Sequence, residues 1–111
     1  MLPKKRRLLA SHFAPLQKGR LFSSQHFSLR IAPGKAGDSL RAAAVAGSGV
    51  ARKAHERALL RRRIYAVVRE VIPASAEGLH LAVFARKGAP ALSFQVVRKE
   101  LGSLLRGALR L

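Results

Sequence analysis

Residues 51–69 read ARKAHERALLRRRIYAVVR and carry seven Lys/Arg against a single acid, Glu56. Within and just beyond this stretch Leu60, Ile64, Val67 and Val71 recur at i, i+4, i+7 and i+11, the spacing that puts side chains on one side of an α-helix. Successive helical residues are turned by about 100°, so at least two of Arg61, Arg62 and Arg63 must point away from that apolar stripe. The pattern predicts a helix over 52–71, stopped by Pro73, that is at once a core element and a basic surface.

Upstream, Gly47-Ser48-Gly49 separates this helix from Leu40–Ala46, an Ala/Val-rich run that reads as a central strand. Pro33-Gly34 through Asp38-Ser39 is a turn by composition. Before it, residues 21–32 read as one half-buried strand, with Phe27, Leu29 and Ile31 on one side and His26, Ser28 and Arg30 on the other. The two strands read as antiparallel neighbours across the turn. Ser11–Lys18 reads as a short helix capped by Ser11 and closed by Gly19, and residues 1–9, with Lys4-Lys5-Arg6-Arg7, as an exposed basic arm. Downstream, Gly78–Ala85 alternates Leu79, Leu81 and Val83 as a third strand. Ser93 then caps a last helix that places Phe94, Val97, Leu101, Leu104, Leu105 and Ala108 on one face. The order helix, strand, strand, helix, strand, helix is that of a single α+β domain over 1–111, an α/β sandwich with helices laid on a small central sheet.

Lys and Arg total 22 against five acids, a formal net charge of +17 with a pI near 12.0. Such self-repulsion serves a protein that neutralises phosphates, because each cation gains affinity by counterion release. The excess of Arg over Lys suits bidentate phosphate contacts and stacking on bases. At 49% hydrophobic residues the chain has apolar material to bury, which excludes a wholly disordered basic tail. No apolar run reaches the roughly 18 residues of a membrane span. Residues 1–30 are basic and free of acids, as a transit peptide would be, but they also hold Phe13, Phe22 and Phe27 and are read as part of the fold.

Cysteine is absent, and His12, His26, His55 and His80 are scattered without a helical i+3 or i+4 pair, so no protein-built metal site is expected. The acids Asp38, Glu56, Glu70, Glu77 and Glu100 are isolated, and no nucleophile set is recognisable, so no catalytic residue is expected either.

Four blocks in this order resemble the bacterial ribonuclease P protein component: LPKKRRL followed by His12-Phe13 and Gln17–Arg20, then Gln25–Ile31, then Lys53–Tyr65, then Val83–Leu101. The family signature is centred on Arg-Asn-Arg, whereas Arg57 here is followed by Ala58 and Leu59, and the usual paired lysines before the helix are replaced by Ser48 and Gly49. The resemblance implies a ribosomal-protein type of α/β sandwich with a left-handed βαβ crossover, contrary to the usual right-handed rule. It implies a non-catalytic subunit that binds ribonuclease P RNA and the 5′ leader of precursor tRNA in the cytoplasm, with magnesium held by the RNA and neither a membrane nor a small-molecule substrate involved. Lys53, Arg57, Arg61, Arg62, Arg63 and Arg52, with Lys4, Lys5, Arg6 and Arg7 of the arm, become the expected RNA contacts, and Phe13, Phe27 and Arg30 the expected leader contacts. Periodicity alone places Phe27 equally well in the core. A small ribosomal or general RNA-binding protein shares the charge and size, and a DNA-binding architectural protein remains a third reading.

Overall fold

The structure, a computed structural model, describes residues 2–73 and 75–110; Met1 and Leu111, the ends of the expected domain, lie outside the described residues. Among the described residues, three 3₁₀ turns at Lys4–Arg6, Ala10–His12 and Ala89–Ala91 accompany three α-helices and four strands: α1 Phe13–Leu16, β1 Arg20–Ser23, β2 Phe27–Pro33, β3 Arg41–Val45, α2 Ala54–Val71, β4 Leu79–Ala85 and α3 Phe94–Leu109. They form a four-stranded mixed sheet in the order β1-β2-β4-β3, with β3 and β4 parallel and the other pairs antiparallel. Parallel neighbours need a long crossover, and α2 supplies it.

Two strand expectations are corrected. The run 21–32 is not one strand but the hairpin β1–β2, folded back at Ser24–His26, where the Ser24 N–H donates to the Phe27 carbonyl at 2.8 Å. Leu40–Ala46 is neither central nor paired with β2, because β4 lies between them and leaves β3 at the edge. Burial explains the order. β4 buries Leu81, Ala82 and Val83 in succession, on both faces, whereas β3 alternates buried Ala42 and Ala44 with half-exposed Arg41, Ala43 and Val45. The β3 edge is blunted by its own chain: the Ala44 N–H donates to the Tyr65 hydroxyl of α2 at 3.1 Å, and the Ala42 carbonyl accepts from the Leu8 N–H at 3.1 Å.

Phe27, Leu29, Ile31, Leu81, Val83, Ala42 and Ala44 form the sheet's core face. Against it α2 buries Leu60, Ile64, Val67 and Val68, and α3 buries Val97, Leu101 and Leu105. Each of these larger side chains contributes about 1.5–3 kcal/mol by leaving water. Leu2 joins this core at 3% exposure, so the N-terminal arm is docked rather than a free tail. The apolar stripe of α2 is the one read from the 51–69 stretch, with Val71 only partly buried.

The last helix begins where expected, with the Ser93 hydroxyl accepting from the Val96 N–H. Phe94, however, leaves the expected apolar face and stands 36% exposed at the first helical position. The first helix is shorter than expected, and its N-cap is His12, not Ser11. A helix capped by Ser11 would require a Pro15 N–H bonded to the Ser11 carbonyl, and proline has none. With His12 as cap, Pro15 falls in the first turn, where that N–H is not needed.

Candidate RNA interface

On the sheet face away from α2 and α3, α1 is set over the strands by a second apolar cluster of Leu16, Ala32 and Ala82 with Leu8, Phe13 and Phe84. Between α1 and the strands lies a groove of about 800 Å³, lined by Phe13, Leu16, Gln17, Leu21, Ser23, Ser28, Arg30, Phe84 and Arg86. Its floor follows from register: Ser23 pairs with Ser28 and Ser28 with Phe84, while Leu21 pairs with Arg30 and Arg30 with Ala82. Gly19 sets the wall. A Cβ there would lie 2.3 Å from the Ile31 carbonyl oxygen, so only glycine allows this close approach of the α1 exit to β2.

Among the described residues the groove is lined by two cations and no acid. The Arg30 guanidinium donates to the carbonyls of Gln17 at 3.3 Å and Gly19 at 3.4 Å, and that of Arg86 donates to Ser24 O at 2.8 Å. Backbone carbonyls aim these groups without neutralising them. A larger recess of about 940 Å³ lies between β1 and α3, but Phe22, Val96, Leu104 and Ala108 make it largely apolar and Glu100 lines it, which suits a polyanion poorly.

The structure sorts the expected leader contacts. Phe13 and Arg30 line the groove. Phe27 does not: its ring is fully buried on the core face against the helices, so no ligand can reach it. The aromatic that does face the groove from the sheet is Phe84, which the sequence reading passed over. The signal was present in β4, since Leu81 and Val83 face the core and alternation sends Phe84 to the other side.

The expected RNA contacts of the helix fall into two groups. Arg52, Lys53 and Arg62 are exposed, Arg61 is half-buried, and none of their charged groups has a protein partner among the described residues. Arg57 and Arg63 are engaged within the chain. The Arg57 guanidinium donates to the carbonyls of Ala51 at 2.9 Å and Arg52 at 2.8 Å, tying down the loop that enters α2. That of Arg63 donates to Leu92 O at 3.1 Å, joining α2 to the start of α3. The N-terminal turns of α2 bury no side chain before Leu60, so Lys53 carries no burial cost.

Along the arm Lys4 and Lys5 are exposed, while Arg6 and Arg7 are half-buried beside β3, where the Arg41 guanidinium donates to Arg7 O at 3.0 Å. The Nε and Nη2 of Arg6 are buried without a hydrogen-bond partner among the described residues.

Two of the five acids, Glu70 and Glu100, pair with side chains of the fold. Glu70 pairs bidentately with Arg98, whose hydrogen bond holds the Glu70 carboxyl below its ordinary range. Burial pushes Glu100 up, but hydrogen bonds from the His26 ring, the Ser24 hydroxyl and the His26 N–H together bring it below the ordinary range. The rings of His12 and His80 lie 4.4 Å apart, and His80 is pushed down by burial first and by His12 and Arg41 next, with Asp38 opposing. Two imidazoles do not make a metal site, and among the described residues no three His, Cys, Asp or Glu side chains cluster.

A sequence model of the family Ribonuclease P matches residues 2–109. The chain belongs to that family. The fold agrees: the ribonuclease P protein of Staphylococcus aureus superposes with a TM-score of 0.82 at 19% identity, covering 96% of each chain. That of Thermotoga maritima gives 0.74 at 23% identity over 91% of this chain and 96% of the other. No curated protein matches the chain in sequence. Ribonuclease P proteins are subunits of a ribonucleoprotein endoribonuclease, and RNA binding and 5′ processing of tRNA come with membership. The ribosomal and DNA-architectural readings give way to it.

Proposed function

We propose that the groove between α1 and the sheet holds the single-stranded 5′ leader of precursor tRNA, while the arm and the N-terminal half of α2 rest on ribonuclease P RNA. One observation carries this reading: Phe13 and Phe84 line the same groove with Arg30 and Arg86, and no acid is present. Unpaired bases stack on aromatic rings at roughly 1–3 kcal/mol each, and guanidinium groups take the phosphates between them. Stacking on the rings and phosphate contacts from the arginines do not depend on base identity, which favours tolerance of leader sequence.

Catalysis then lies with the RNA. The magnesium that serves it is assigned to the RNA subunit as well, as membership of the family suggests. The protein's contribution is to position substrate and to lower the electrostatic cost of bringing two RNAs together. Acting on new transcripts, it works in the cytoplasm, which fractionation would check.

The test compares precursor tRNA with mature tRNA on the reconstituted holoenzyme. A preference for the leader-bearing RNA that collapses in Phe84→Ala supports the groove; a preference left intact overturns it.

A further inference from the structure

On the opposite side of the molecule from the groove, a recess of about 320 Å³ is lined by Leu59, Arg62, Arg63, Ala66 and Phe94. Phe94 and Leu59 are large apolar side chains left open to solvent, at 36% and 42% exposure. Neither is needed by the core, since α3 packs through Val97, Leu101 and Leu105 and α2 through Leu60, Ile64, Val67 and Val68. Their placement is built. His55, Leu59, Arg62 and Ala66 follow the i, i+4, i+7, i+11 spacing along one face of α2, and the Arg63 bond to Leu92 O fixes the start of α3 beside it.

The chemistry of the recess is that of a stacking site. An aromatic ring and a leucine border a shallow, open apolar depression, and Arg62, which also lines it, has no protein partner among the described residues. No acid lines the recess, although Glu56 lies one turn away in a neighbouring depression with His55. The stripe continues toward exposed Lys53 and Arg52 at the helix start, so the recess adjoins the basic surface already assigned to RNA. An uncharged protein partner would not call for that setting in a chain of net charge +17.

We propose that this recess takes one unpaired base of the ribonuclease P RNA, stacked on Phe94 and Leu59 with its phosphate on Arg62. The proposal rests on the reading of α2 as the face toward that RNA. It adds a second base-stacking site, on the side of the sheet that the leader does not reach.

The experiment places a benzophenone side chain at position 94, and separately at position 84, in the full chain assembled with ribonuclease P RNA and precursor tRNA. Crosslinking from position 94 to the RNA subunit supports the proposal; no crosslink, or one to the tRNA alone, overturns it. The position-84 arm reports on the leader groove independently, so failure of one reading is told from failure of the other. In parallel, Phe94→Ala is expected to weaken binding to the RNA subunit by about 5–150-fold without changing the salt slope, and Phe94→Trp to restore it. Equal affinity of Phe94→Ala and the wild-type chain for that RNA overturns the site.

Discussion

Glu100 on α3 grips His26 at two points, accepting from its backbone N–H at 2.8 Å and from its ring Nδ1 at 2.7 Å. The same carboxylate takes the Ser24 hydroxyl at 2.5 Å, so a side chain of the last helix fixes the connection between β1 and β2. The carboxyl is held below its ordinary value of 4.5 in the fold, so it contributes stability above the unfolded value and loses it as pH falls through the folded one. Glu100→Gln should cost about 1–3 kcal/mol at neutral pH. Thermal unfolding across pH would show the gap to wild type closing on the acid side of the carboxylate range; a gap constant with pH would mean the charge is not what holds the hairpin.

Gly19 predicts a defect of geometry rather than of chemistry. In Gly19→Ala the new methyl meets the Ile31 carbonyl oxygen, a backbone atom that cannot swing aside. Either α1 or β1 must shift, at about 1–3 kcal/mol, as for other overpacked sites. Leader binding should fall even at temperatures where the variant is fully folded, because Phe13 and Gln17 move with α1. Retained leader preference in a destabilised variant would show that the groove does not depend on this wall.

The two phenylalanines of neighbouring strands should separate stability from binding. Phe27→Ala empties a fully buried site and should cost about 3–5 kcal/mol. Phe84→Ala removes a groove residue and should change stability less while weakening single-stranded RNA by roughly 1–3 kcal/mol. Chemical denaturation and titration with a short unstructured RNA measure the two effects; the opposite assignment would reverse which sheet face meets the ligand.

Local periodicity made α2, β2, β4 and α3 legible, because each buries one face and the chain repeats that demand every two or three to four residues. Partnership was less visible. β1 has only Leu21 and Phe22 as apolar residues, and the turn that separates it from β2 is held by Glu100, more than 70 residues away. The place of β3 at the edge depends on β4 being buried on both faces, which no window of β3 itself reveals. For the site, alternation showed that Phe27 and Arg30 face opposite ways. It could not say which side α1 would cover; the resemblance points to Phe27, whereas the sheet aromatic that lines the groove is Phe84.

The arginines of α2 differ in what they are free to do, and salt dependence should expose it. Arg62 is exposed and without a protein partner among the described residues, so its charge is open to a phosphate. Arg57 already spans the carbonyls of Ala51 and Arg52. Removing Arg62 should reduce the slope of log affinity against log salt by roughly 0.7–0.9, one released counterion, with thermal stability unchanged. Removing Arg57 should instead loosen the 47–53 loop, lowering stability by about 0.5–1.5 kcal/mol for each hydrogen bond lost. Its slope should change less, because part of its charge is spent on those carbonyls. Titrations of Arg57→Ala and Arg62→Ala with ribonuclease P RNA at several salt concentrations, beside their melting curves, decide the matter. Equal slope changes with equal stabilities would show that Arg57 releases its carbonyls on binding and acts as a phosphate contact after all.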